Sequence, residues 1–231
     1  MRKFQSTERG AGNKTFLIVV VVVVAIIGAV VAFMAKKPQE ATDAAAAKPE
    51  PAKLEALVRP HNFVKGSPSA KVTVVEFLDP ECEACRAMHP IVKRLQNEYG
   101  ERVRWVVSYM AFHDGSMLAA SALEEARDAG KFEEALDLLF EKQPEWGSHE
   151  NPRPELISDY IQSLGVPQAS LATEKVIPKQ RWKIDADQAD GAVLGVRQTP
   201  TFFVNGVMLP EIGYEPVKQA IDIALGQTES K

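Results

Sequence analysis

The sequence predicts an α/β domain interrupted by a helical block and preceded by a single transmembrane helix. Three observations predict it. Residues 16–35, FLIVVVVVVAIIGAVVAFMA, form an apolar run without a charge, and twenty helical residues span about 30 Å of hydrocarbon. KVTVVEFL (71–78) and VRWVVSYM (103–110) are β-branched apolar runs separated by a segment of helical periodicity, the pattern of a βαβ unit with a parallel strand pair. Beyond them the periodicity stays helical until TPTFFVNGVML (199–209), where Asn205-Gly206 between apolar runs marks a hairpin.

Taken in order, residues 1–15 are a short basic arm carrying Arg2, Lys3, Arg9 and Lys14. The apolar run that follows exceeds the usual core of a cleavable signal, and no small-x-small pair sits close behind it, so it reads as an uncleaved anchor. Lys36, Lys37 and Lys48 follow it, which leaves only a slight positive-inside bias. The commoner arrangement keeps the short arm in the cytoplasm and exports the long C-terminal domain. Residues 36–53, KKPQEATDAAAAKPEPAK, hold nothing apolar enough to pack and read as a linker. Residues 54–231 are globular in composition.

Within that domain the strand at 71–78 suits burial on both faces. Met88, Ile91, Val92, Leu95 and Tyr99 recur at helical spacing and Gly100 supplies a stop, which predicts a helix from near Cys82 to about Tyr99. After the second strand, helical stripes run through Met117 to Ala129, Phe132 to Phe140 and Ile157 to Leu164, a block spanning about 115–178. A further helix is expected from about Lys179 to Leu194, then the hairpin, then a last helix opened by Pro216 with Val217, Ala220, Ile221, Ala224 and Leu225 on one face. Trp105, Trp146 and Trp182 read as core or groove residues.

Charge separates along the chain. Residues 1–53 carry eight Lys/Arg against four Asp/Glu, and the remainder nineteen against twenty-seven. An acidic domain repels phosphate backbones, which argues against nucleic-acid binding. The chain holds two cysteines, both in FLDPECEACRAMHP (77–90), where the first strand gives way to a helix. Two cysteines make no disulfide framework, and a bridge across two intervening residues constrains the unfolded chain little. The pair is therefore read as a redox centre or as part of a metal site.

These features resemble the thioredoxin fold, and more closely its DsbA-like thiol-disulfide oxidoreductases, in which a helical block separates a βαβ half from a ββα half. The resemblance covers about residues 63–226. It rests on coincident spacings: CEAC at a strand-to-helix junction, Pro90 five residues after Cys85, Glu76 six residues before Cys82, and Thr199-Pro200 just before the hairpin. A lone C-x-x-C would be weak, since zinc sites also carry it.

The resemblance implies an enzyme that forms, reduces or exchanges disulfides in exported proteins, the direction of electron flow left open. Its catalytic residues are Cys82, Cys85 and Glu76, with Thr199 and Pro200 touching substrate, Pro200 in the cis form, and no cofactor. A helix N-terminus stabilises a thiolate, which suits Cys82 to attack; Cys85, one turn further on, resolves the mixed disulfide. Glu76, in a buried strand, is expected to have a raised pKa and to exchange a proton with Cys85. Glu83-Ala84 lies between the cysteines with Glu81 and Asp79 beside them; like charge predicts a Cys82 pKa toward the upper part of the roughly 3.5–7.5 range of activated cysteines, and a weak oxidant. The implied partners are cysteine-containing exported proteins and a membrane redox protein that resets the dithiol, at the outer face of a bacterial cytoplasmic membrane. A different reading takes Cys82, Cys85 and His89, with His113 as a possible fourth ligand, as a copper or zinc carrier site.

Overall fold

A five-stranded mixed sheet in the order β1-β3-β2-β4-β5 organises the domain. The computed structural model describes residues 56–226; the arm at 1–15, the apolar run at 16–35 and the linker at 36–53 lie outside the described residues. Among the described residues no helix is long and apolar enough to cross a membrane.

The first half follows the periodicity of the sequence: β1 (Phe63–Lys65), β2 (Val72–Leu78), α1 (Glu83–Tyr99), a 3-10 turn and β3 (Val103–Tyr109). Central β2 pairs parallel with β3 and antiparallel with β4 (Thr201–Val204). Its side chains are buried on both faces of the sheet, Val72 and Val74 on one and Val75 and Phe77 on the other, as its largely apolar run requires. β1 pairs antiparallel with β3; three half-exposed residues are too few to leave a period-2 signal, and the sequence did not reveal it. β4 turns into β5 (Val207–Met208) through Asn205 and Gly206, both at positive φ (47° and 86°), the conformation that makes Asn-Gly a hairpin signal.

The inserted block comprises α2 (Ser116–Asp128), α3 (Phe132–Trp146), α4 (Leu156–Ser163) and the single turn α5 (Gln168–Leu171). It leads into α6 (Thr173–Leu194), which starts six residues before the expected Lys179 and carries Pro178 inside it. The cause lies in its opening turns, which bury only Val176 and carry Pro178, a residue expected at a helix start rather than inside one. The rest of its buried face includes Gln180, Lys183, Asp187 and Asp190. Lys183 pairs with Glu124 at 2.8 Å, and Asp187 accepts the Tyr109 N–H and a bond from Asn62 Nδ2. Buried ion pairs and hydrogen bonds thus share this face with Val176, Ile184 and Leu194. Gly191 lets α6 lie close to the sheet, because a Cβ there would meet Met110 Sδ at 2.5 Å. α7 (Tyr214–Ala224) begins two residues before Pro216, which takes a first-turn position where no intrahelical N–H is required.

Three cores result. Val72, Val74, Trp105 and Phe202 pack under α1 and α7, and Val75, Phe77, Val106 and Phe203 pack on the other face beside Leu194. The third core fills the inserted block with Leu123, Leu139, Phe140, Trp146 and Ile161, and both cysteines belong to it. Trp105 and Trp146 are core residues, whereas Trp182 is 58 % exposed, its edge against His61. The dithiol thus lies where the end of the sheet meets the helical block.

Candidate active site

β2 ends at Leu78, and Asp79-Pro80-Glu81 carries the chain over the sheet edge into α1, placing Cys82 at the helix N-cap with extended backbone angles. No side chain caps this end. Its unpaired backbone N–H groups are therefore available to sulfur, and Cys82 Sγ takes the N–H groups of Ala84 and Cys85. Both thiols are free and buried, Cys85 completely and Cys82 to within 9 %.

The two sulfurs are hydrogen-bonded to each other. The Cys85 S–H donated to Cys82 is the main cause that brings the Cys82 pKa down to about 5; burial opposes it, and the Thr199 side chain and the two backbone N–H groups add to it. Cys85 moves far the other way. Burial is the largest cause, followed by its bond to Cys82 and by the charges of Glu76 and Cys82. At neutral pH the reduced pair is one thiolate, on Cys82, and one thiol, on Cys85.

The expectation that acidic neighbours would hold the Cys82 pKa high in its range is corrected. The carboxylates are engaged elsewhere. Glu81 accepts the Gly115 N–H at 2.7 Å, and Asp79 accepts the N–H of Phe112 at 2.8 Å and of Glu81 at 2.9 Å. Glu83 pairs with His149 at 2.9 Å. Local donors, rather than the formal charge of the motif, govern Cys82.

Glu76 lies on the central strand between Val107 and Phe202. Burial raises its pKa to about 8, and its charge acts on Cys85. The loop before β4 closes the site from the other side: the Thr199-Pro200 peptide bond is cis, and Cys82 Sγ lies 3.3 Å from the Thr199 carbonyl as a donor when protonated. All five residues singled out by sequence therefore converge on one site.

Other members had no local signal. Gln143 of α3 donates to the carbonyls of Pro80 at 2.8 Å and of Cys82 at 3.1 Å, tying the inserted block to the cysteine loop. Asp79 donates its N–H to Cys85 Sγ at 3.4 Å and accepts the Cys82 N–H at 3.1 Å. His89 points away from the sulfurs: its Nε2 contacts Asp137 at 2.6 Å and its ring packs on Phe140. Among the described residues no three His, Cys, Asp or Glu side chains are grouped to hold a metal ion.

Residues 59–223 match the thioredoxin family. The chain is 31 % identical to a Na(+)/H(+) antiporter NhaA of Herminiimonas arsenicoxydans over 68 % of its own length, but it spans only 24 % of that relative. It is 29 % identical to disulfide bond formation protein D of Bacillus subtilis, covering 69 % of this chain and 75 % of that one. The crystal structure of oxidised BdbD from Bacillus subtilis superposes with a TM-score of 0.65 at 28 % identity, over 72 % of this chain and 94 % of that one. With the matched family, the sheet order and the helices inserted after β3 in agreement, the chain belongs to the thioredoxin family and has the thioredoxin fold with the helical insertion of its DsbA-like members.

Proposed function

We propose that the chain is a protein thiol-disulfide oxidoreductase in which Cys82 exchanges electrons with cysteine pairs of exported proteins. The observation that carries this reading is the contact between the two sulfurs at the helix N-terminus, the Cys85 thiol donating a hydrogen bond to the Cys82 thiolate. In the oxidising direction a substrate thiolate attacks Cys82 and breaks the Cys82–Cys85 bond. The electron pair of that bond stays on Cys85, which takes a proton from Glu76. A second substrate thiolate then attacks the substrate sulfur joined to Cys82, closing the substrate disulfide and leaving Cys82 as a thiolate. Two electrons pass to the protein; of the two protons the substrate thiols give up, one restores Glu76 and the other goes to solvent.

The low pKa of Cys82 favours the reduced form and so favours this direction. It replaces the weak oxidant that the charges of the motif suggested. The Thr199 carbonyl lies against the Cys82 sulfur and, with the cis bond to Pro200 next to it, would align the substrate strand there. Residues 16–35 would anchor the protein in a bacterial cytoplasmic membrane with residues 54–231 outside it, where a membrane redox protein accepts the electrons. A copper or zinc carrier role is not favoured, because His89 is turned to Asp137.

The test mixes the disulfide form with a reduced peptide bearing two cysteines. One peptide disulfide is expected for each protein disulfide lost, and Cys82→Ser is expected to give none. A wild-type disulfide that leaves the peptide thiols untouched would refute the reading.

A further inference from the structure

Glu83 and Ala84, the residues between the cysteines, supply no cation to the Cys82 thiolate. One stands nearby on a different element. His113, in the segment joining β3 to α2, places Nδ1 2.7 Å from Oδ2 of Asp79, whose side chain is fully buried. The same carboxylate binds the Phe112 and Glu81 N–H groups, and its other oxygen takes the Ser116 hydroxyl at 2.5 Å. The backbone of Asp79 in turn reaches Cys85 Sγ and the Cys82 N–H. One residue thus fixes His113 and both ends of the dithiol in a single frame.

We infer that His113 is a positioning residue of this dithiol: seated on Asp79, its imidazolium supports the Cys82 thiolate, and that support is withdrawn when the ring loses its proton. The inference rests on the oxidoreductase reading for its consequence but not for its test. His113 contacts Asp79 of the loop before α1, Ser116 of α2 and the His149 ring, which pairs with Glu83 of α1, and the charges of Cys82 at the N-cap and of Glu81 act on it. The His149 ring lies 5.9 Å away from the His113 ring between centroids, in the segment after α3. Asp114 is its neighbour along the chain.

Burial disfavours the His113 charge, but the Asp79 hydrogen bond, with the charges of Asp79, Cys82 and Glu81, outweighs it and leaves the pKa above the ordinary histidine value. The ring is therefore charged in mildly acidic solution and for some distance above its usual midpoint. Coupling between two sites is reciprocal. If the thiolate raises the His113 pKa, charged His113 must lower that of Cys82 equally. The dithiol then becomes a stronger oxidant below the His113 midpoint and a weaker one above it.

The experiment follows the His113 ring by NMR through a pH titration of the full chain in detergent. Three forms are compared: reduced wild type, the disulfide form and reduced Cys82→Ser. Backbone correlations assign the ring without recourse to a variant. The expected midpoint is higher in reduced wild type than in the other two by about half a unit, as for a screened opposite charge. Alkylation of Cys82 in His113→Gln should show its midpoint raised by a similar amount. Coincident His113 midpoints in reduced wild type and Cys82→Ser would overturn the inference. This outcome is separate from failure of the oxidoreductase reading, which would show as an inert disulfide while the comparison with Cys82→Ser still decides His113.

Discussion

Replacing Cys85 with alanine is expected to convert the protein into a covalent trap. Cys82 remains at the N-cap and still attacks, or is attacked by, a partner sulfur. The thiol that releases the partner is gone. Turnover should fall on the order of a thousandfold, as when one member of a two-step nucleophilic unit is removed. Mixed disulfides should accumulate in cells expressing the variant, disappear on treatment with dithiothreitol, and be absent with Cys82→Ser. One consequence of Cys85→Ala works against the trap: it also removes the S–H that does most to stabilise the Cys82 thiolate. Trapping should therefore be more efficient as pH rises, toward the ordinary cysteine pKa of about 8.5. Non-reducing gels at two pH values measure this; bands no stronger than those of Cys82→Ser would contradict it.

Glu76→Gln is expected to separate stability from turnover. Burial raises the Glu76 pKa to about 8 in the fold, against an ordinary glutamate value of about 4.5. The native state therefore holds a proton that the unfolded chain releases. Stability from this group is fully present below pH 4.5 and is lost as pH rises through 8. The whole decline is an upper bound of about 4–5 kcal/mol. Glutamine is neutral throughout and fits the same place between Val107 and Phe202, so the variant should lack the decline and be more stable than wild type at alkaline pH. The difference between wild type and Glu76→Gln in denaturant unfolding of their disulfide forms isolates it, because neither sulfur titrates there and the histidine contributions cancel. Turnover should fall on the order of a hundredfold through loss of proton exchange with Cys85. A wild-type stability that stays level between pH 5 and 8 would contradict the burial of an uncompensated acid.

Both substitutions act on residues that the sequence made visible. Cys82, Cys85 and Glu76 lie within ten residues of one another on a strand and the helix after it. Alternation and helical spacing fix where each must point. The hairpin was legible for the same reason, since Asn205-Gly206 encodes its own backbone angles. Thr199-Pro200 was legible through its place before that hairpin.

What escaped is the contact made at long range between polar groups. Gln143 reaches the cysteine loop from a helix some sixty residues away, and His113 is placed by a carboxylate thirty-four residues before it. Neither contact has a local period or motif. The same cause governs Cys82: the sequence shows three acidic side chains in and beside CEAC, with His113 and His149 unplaced. It does not show that Asp79, Glu81 and Glu83 already have donors while sulfur receives its own. The early start of α6 was hidden for a different reason: its first turns bury only Val176, and Pro178 reads as a helix opening.

The central claim is that one sulfur is ionised at the helix N-terminus while its neighbour keeps its proton. Thiolate absorbance near 240 nm, followed in the reduced full chain as pH is raised, measures this directly. A single step with its midpoint near pH 5, absent in Cys82→Ser and with no second thiolate appearing before the protein unfolds, is the predicted result. A midpoint near the ordinary cysteine value of about 8.5, or two equal steps, would contradict the account.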